Sequence, residues 1–197
     1  MGKEKKCTLY KKYTSYKKCI PYLILAGFTF FFCWWFVGRH GIFGAKVDWL
    51  SQHSVLPDYF RQQFYATGKI FPEFAPNLGG GQNIYHFAYY GLYSPLILPS
   101  YLLPFVKMSD YIMVISITGL TVSVLLFYYW LKSRKMDTGV AFIISLMFLL
   151  AGPMIGQYSG QIMFVDYMPF LCLALIGVDC TGILNKEKDA ESRSEAF

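Results

Sequence analysis

The chain has 197 residues, 55% of them hydrophobic and 19% aromatic, with only 15% charged and a mean hydropathy of +0.36. A soluble domain carries about 25% charged residues, so this composition excludes an ordinary water-soluble fold and makes lipid the main solvent. Eighteen Lys and Arg against 12 Asp and Glu leave a net charge of +6; most of it comes from amino-terminal lysines, which suits anionic inner-leaflet lipid rather than nucleic acid, and no nucleic-acid motif is present.

Residues 1–19 form a basic amino terminus in which Lys3, Lys5, Lys6, Lys11, Lys12, Lys17 and Lys18 outweigh the single acid Glu4. The positive-inside bias puts this end in the cytoplasm. The apolar run Ile20 to Val37 follows; at about 1.5 Å per residue it nearly covers the ~30 Å hydrocarbon core as one helix. Trp34 and Trp35 stand where an outer aromatic belt is expected. A cleavable signal peptide is the competing reading, disfavoured because the run is long and aromatic and no small-residue cleavage site follows it.

Residues 38–91 are therefore an outer loop. Asp48 lies about ten residues into it, and a helix is predicted after Asp48 because Leu56, Phe60 and Phe64 recur at the four-residue spacing of one face, with Asp58, Arg61 and Gln62 elsewhere on the helix. The pattern alone fits a helix lying along the membrane surface. Phe71 to Gly81 is rich in turn residues, and Gly79 to Gly81, with no helix behind them, read as a turn rather than a phosphate cradle. His40, His53 and His86 share the loop without any metal-binding spacing, which makes separate polar contacts the expectation. No metal site or cofactor is called for. Cys7, Cys19, Cys33, Cys172 and Cys180 lie outside this loop and form no C-x-x-C pair, so neither a disulfide framework nor a zinc site is indicated.

The stretch 92–106 (LYSPLILPSYLLPFV) is apolar but short, and Pro95, Pro99 and Pro104 each remove a backbone donor. A full crossing would put Lys132, Arg134 and Lys135 outside, against the charge rule. A short or re-entrant helix on the outer side is expected instead, packed where irregular backbone is allowed. Further spans are predicted at about 110–131, 138–156 and 162–183, with Gly152 and Pro153 kinking the third. Residues 184–197 form a charged, disordered cytoplasmic tail. Asp166 is left near the outer face, beside Gln157 and Gln161, either of which can bind a sugar hydroxyl or simply end a helix.

Three outer stretches, Gly44-Ala45-Lys46-Val47-Asp48-Trp49-Leu50-Ser51-Gln52-His53, Phe71 to Gly81 and Tyr89-Tyr90-Gly91-Leu92-Tyr93-Ser94-Pro95, together with Ile162 to Phe170, resemble the start of the bacterial YfhO membrane proteins. The resemblance covers roughly residues 20–183, carried by the order and spacing of these stretches. It implies an all-α, polytopic membrane protein with a type C glycosyltransferase-like amino-terminal module. It further implies an outward-facing site in the bacterial plasma membrane, a sugar donor carried on polyprenyl phosphate, and a cell-envelope polymer such as lipoteichoic acid as acceptor. In such enzymes an acid of the first outer loop acts at the reaction centre. Asp48 matches that position, and Asp166 is the second candidate. YfhO proteins are several times longer, so this chain is expected to be a truncated product, a split subunit or an amino-terminal piece.

The residue types suit the implied chemistry. An acceptor hydroxyl must lose a proton as it attacks the anomeric carbon, which a positioned carboxylate can take; Asp48 is the candidate base. Polyprenyl phosphate leaves as a stabilised anion, so cations matter more than a second acid. Lys46, Arg61 and Lys69 are the candidates to neutralise the phosphate, His53 to tune Asp48, and Tyr90, with Tyr85, Tyr89 and Tyr93, to stack on sugar. Each also has a plainer reading as a surface cation or an interfacial ring, and Asp166 one as an acid marking the water interface. The alternative function is a noncatalytic membrane protein that binds envelope lipid or assists a membrane protein partner. A transporter half is weaker, since the spans show no inverted repeat and no mid-membrane charge.

Overall fold

The computed structural model describes residues 2–40, 43–45, 47–164 and 166–195, and side chains from Lys18 to Gly182 except at a few positions. It is an all-α membrane protein. In chain order the elements are α1 (Gly2–His40), α2 (Val55–Thr67), a two-residue antiparallel pair β1 (Phe74–Ala75) and β2 (Gln82–Asn83), α3 (Met108–Ser133), α4 (Thr138–Leu149), α5 (Gly152–Gly160) and α6 (Met168–Glu195). Short 3-10 turns cover Ile84–Tyr90, Leu98–Leu102 and Ile162–Phe164.

Within α1, Lys18–Phe36 is long and apolar enough to cross a membrane, as is α3. The pair α4 and α5, bent by 48°, makes a third crossing if taken as one broken span, and Met168–Gly182 is a shorter apolar stretch. The bend falls where Gly152 weakens the helix and Pro153 cannot donate to the turn before it. On the α4 side, the Asp137 carboxylate accepts from the Gly139 and Val140 N–H groups at 2.8 and 3.3 Å and caps the helix.

Four expectations are revised. The fourth span, expected from residue 162, becomes helical only at Met168, where Pro169 suits a first helical turn that needs no donor. The expected disordered tail continues α6 to Glu195, and the helix of the first span extends back through the basic segment to Gly2. Residues 92–106 form turns and one 3-10 segment with Pro99 in its first turn, because three prolines deny the helix its hydrogen-bond ladder.

Helix α3 is the centre of the bundle, packed against α1, α4 and α6. Leu25 and Cys33 from α1, Leu120, Val124, Tyr128 and Leu131 from α3, and Ala141, Leu149, Met154 and Tyr158 from α4 and α5 form one core. Small residues set its closest approach: a Cβ added at Gly119 would lie 3.1 Å from the Tyr158 ring. Ser123 bonds the Gly119 carbonyl at 2.7 Å and meets the Tyr158 hydroxyl at 3.0 Å, so these polar groups are satisfied inside the core. At one end of the bundle, Asp179 of α6 accepts from the Trp130 indole at 2.8 Å and the Arg134 guanidinium at 2.7 Å, tying α6 to α3. The other end carries the long loop and its own core of Leu56, Phe60, Ala75, Ile84, Leu92 and Tyr101.

Candidate functional site

Trp49, Ile97, Met108, Ile112 and Ile162 form a third core, where the loop is fastened to the start of α3 and the turn before α6. This anchor places Asp48. Gly44 precedes it with φ +98°, a conformation L side chains rarely adopt, and a Cβ there would stand 2.2 Å from Cγ of Trp49. Only glycine lets the backbone pass under the indole, which also packs edge-on against Phe43 with ring centres 5.4 Å apart.

Asp48 then opens a single π-type turn, Trp49–His53, closed by Ser54 N–H donating to the Trp49 carbonyl at 3.1 Å and by the Ser54 hydroxyl to the same oxygen at 2.9 Å. Such turns are uncommon and frequent at functional sites. Here the extra residue separates Asp48 from α2, whose buried face of Leu56 and Phe60, with half-buried Phe64, follows the predicted spacing.

The Asp48 carboxylate accepts from the Gln161 amide at 2.8 Å, across 113 residues of sequence. Five residues on, His53 is only 4% exposed, its ring centre 5.6 Å from that of Tyr90. Burial pushes the imidazole pKa down, more than the neighbouring Asp48 carboxylate draws it up. The neutral form is therefore favoured, and its Nε2 has no hydrogen-bond partner among the described residues. The Tyr90 hydroxyl donates to the Gln52 side-chain oxygen, and burial together with Tyr89 raises its pKa to about 12.

Asp166 reaches the same place from the turn before α6. Its carboxylate accepts from Ser94 at 3.4 Å, and burial raises its pKa above the usual carboxylate value, against the Ser94 and Tyr167 hydrogen bonds. His53, Tyr90, Ser94 and Asp166 line one narrow cavity of about 20 Å³, closed on its apolar side by Ile97, Ile112 and Ile162. That is room for roughly one water, so a sugar would lie at the mouth rather than inside. The arrangement offers an amide-held carboxylate, a neutral imidazole with a free nitrogen, and a carboxyl group that keeps its proton to higher pH than usual. Groups of this kind can pass a proton to or from a hydroxyl.

Of the predicted cations, Arg61 and Lys69 do not line this cavity. Arg61 is 6% exposed, and its Nη1 donates to the Leu103 and Val106 carbonyls at 3.1 and 2.9 Å while Nη2 pairs with Asp58 at 2.6 Å. Lys69 is exposed beyond α2, 4.0 Å from Glu73, a surface pair worth little. Lys46 lies outside the described residues. Sequence reasoning missed Gln52 and Ser94 as site residues, and it held Gln161 to be a sugar ligand or a helix end rather than the partner of Asp48. Both Gln52 and Ser94 did fall inside stretches that carried the family resemblance.

No curated protein and no solved structure matches the chain. Residues 18–188 match the family described as bacterial membrane protein YfhO, a match that takes in every element of the cavity. The chain belongs to the YfhO family of bacterial membrane proteins.

Proposed function

We propose that the chain is the amino-terminal module of a membrane glycosyltransferase. It transfers a sugar from polyprenyl phosphate to a cell-envelope polymer such as lipoteichoic acid at the outer face of the plasma membrane. The observation that carries this reading is the gathering of two acids from distant parts of the chain around buried His53: Asp48, held by Gln161, acts on the charge of His53, and Asp166 lines one cavity with it. Asp48 is the base that takes the proton of the acceptor hydroxyl as its oxygen bonds to the anomeric carbon and the bond to the polyprenyl phosphate breaks. Gln161 holds the carboxylate in place, and His53 stays neutral beside it so that no fixed cation blunts its basicity. Asp166, with Ser94 and Tyr90, orients the hydroxyl at the mouth of the cavity. The donor phosphate leaves as an anion and needs no proton.

The charge rule supports the orientation, since Lys132 and Arg134 stand at the end of α3 away from the cavity. The test is made in the cell of origin. Deleting the coding sequence is expected to remove a sugar substituent from one envelope polymer, wild-type complementation to restore it, and Asp48→Asn complementation to leave it missing. Full decoration with Asp48→Asn would favour the noncatalytic, lipid-binding or accessory reading.

A further inference from the structure

We propose that the segment between Tyr101 and Met108 is a wedge inserted to partial depth in the bilayer, and that buried Arg61 is the strut that holds it. The inference stands apart from the reaction proposed above. Leu102 and Phe105 are each 81% exposed, the highest values among the large hydrophobic side chains described, and Pro104 stiffens the turn between them. Their position follows from the chain. Met108 opens α3, one of the helices able to cross a membrane, so Phe105 lies within about 10 Å of the start of that span at ~3.3 Å per residue. The 26 residues of α3 measure about 39 Å against a ~30 Å core. Its first turn therefore lies at the interface, and the wedge with it.

The backbone of this segment is prepared for lipid. In hydrocarbon an irregular stretch is tolerated only where its polar groups find partners, and side chains supply them here. Arg61 bonds the Leu103 and Val106 carbonyls and the Tyr65 hydroxyl bonds the Tyr101 carbonyl at 2.6 Å, while just ahead of the segment the Tyr111 hydroxyl bonds the Leu96 carbonyl at 2.7 Å. A loop lying in water would have these carbonyls solvated without such help. Lys107, exposed at the rim, can keep its ammonium among the lipid headgroups. The occupant of the exposed face is thus the headgroup and upper acyl layer of the membrane, rather than a second protein surface. Because Arg61 sits on α2, directly after the Asp48–His53 turn, the wedge fixes the height of the cavity above the bilayer.

The test places a nitroxide label at Leu102→Cys or Phe105→Cys, in the full chain with its five native cysteines replaced, reconstituted in vesicles of phosphatidylethanolamine and phosphatidylglycerol. Collision with oxygen, which partitions into lipid, is compared with collision with a water-soluble nickel chelate. Asn77→Cys on the exposed loop is the aqueous reference, and Val122→Cys, exposed in the middle of α3, the lipid one. The expected oxygen-to-nickel ratio at 102 and 105 lies between the references and nearer Val122. A ratio equal to that of Asn77 would overturn the wedge, and so would a label reached by neither reagent, which would mean a protein cover. Adding Arg61→Ala should move both wedge labels toward the Asn77 value while Val122 stays unchanged; no movement would overturn the strut. Where Arg61→Ala fails to insert, Tyr65→Phe carries the same comparison, with a smaller shift in the same direction expected and no shift counting against the bonded-carbonyl argument.

Discussion

Replacing Gly44 by Ala tests how Asp48 is positioned. Two costs add. The backbone at φ +98° disfavours an L side chain by about 1–2 kcal/mol, and a methyl group 2.2 Å from Cγ of Trp49 forces the indole out of a packed core at about 1–3 kcal/mol. The sum is about 2–5 kcal/mol. For a chain of this size each kcal/mol moves the melting temperature by about 2–4 °C, so a mid-range loss of about 3 kcal/mol corresponds to a fall of about 6–12 °C. Gly80→Ala is the internal comparison: Gly80 also has positive φ, at +82°, but nothing lies within 4 Å of its added Cβ, so only the backbone strain applies. Both variants are melted in the same detergent at one scan rate, following tryptophan fluorescence, because unfolding of such proteins is often irreversible and apparent values depend on rate. Gly44→Ala should melt well below Gly80→Ala and lose transfer activity with it. Equal melting of the two variants would refute the idea that the indole of Trp49 pins the Asp48 turn against Gly44.

Other expectations follow from the same geometry. Burial raises the pKa of Asp166 above its unfolded value of 3.8, so the folded protein holds this proton to higher pH than the unfolded chain and is penalised once pH rises through the folded pKa. Asp166→Asn should therefore stabilise the protein at neutral pH, while an acid limb of activity lying above the ordinary carboxylate range in the parent should disappear from its profile; an unchanged limb would assign it to another group. His53 has the opposite sign. Its pKa is lowered from 6.5, so its contribution to stability is complete above that value and falls as pH drops below it, and His53→Gln should flatten this part of a melting-temperature profile. At the far end of the bundle, Asp137 is held below 3.8, chiefly by the Gly139 and Val140 N–H groups. Its contribution is lost as pH falls through the folded pKa, and Asp137→Asn, which keeps a cap, should remove that dependence without unseating α4. Gln161→Leu removes the amide donor from the Asp48 carboxylate and should cost about 1.5 kcal/mol of stability, within the range for hydrogen bonds to charged groups, read from denaturant midpoints against wild type.

Much of the architecture was legible because it rests on local pattern. The apolar run after Lys18, the span of α3 and the break at Gly152 and Pro153 follow from hydropathy, length and proline chemistry. The buried face of α2 follows from the spacing of Leu56, Phe60 and Phe64. The pairing of polar groups was not legible, since it depends on contacts between distant segments. Asp48 meets Gln161 across 113 residues, and nothing in the run Gly152–Gly160 marks the glutamine after it as a carboxylate partner. Arg61 shows the same limit: a cation on the polar side of an amphipathic helix reads as a ligand for phosphate, whereas its carbonyl partners lie 42 and 45 residues away and draw it into the interior. The π-type turn is invisible to a 3.6-residue period, although it decides where Asp48 and His53 point.

The central claim is that Asp48 takes the proton in sugar transfer from a lipid carrier. The most direct measurement is single-turnover transfer in proteoliposomes loaded with a radiolabelled polyprenyl-phosphate sugar and its polymer acceptor, comparing wild type with Asp48→Asn, an isosteric change that keeps an acceptor oxygen for Gln161. The account predicts donor binding close to wild type with the transfer rate reduced by about 10²–10⁴, the usual contribution of general-base catalysis. Transfer by Asp48→Asn at the wild-type rate would contradict it.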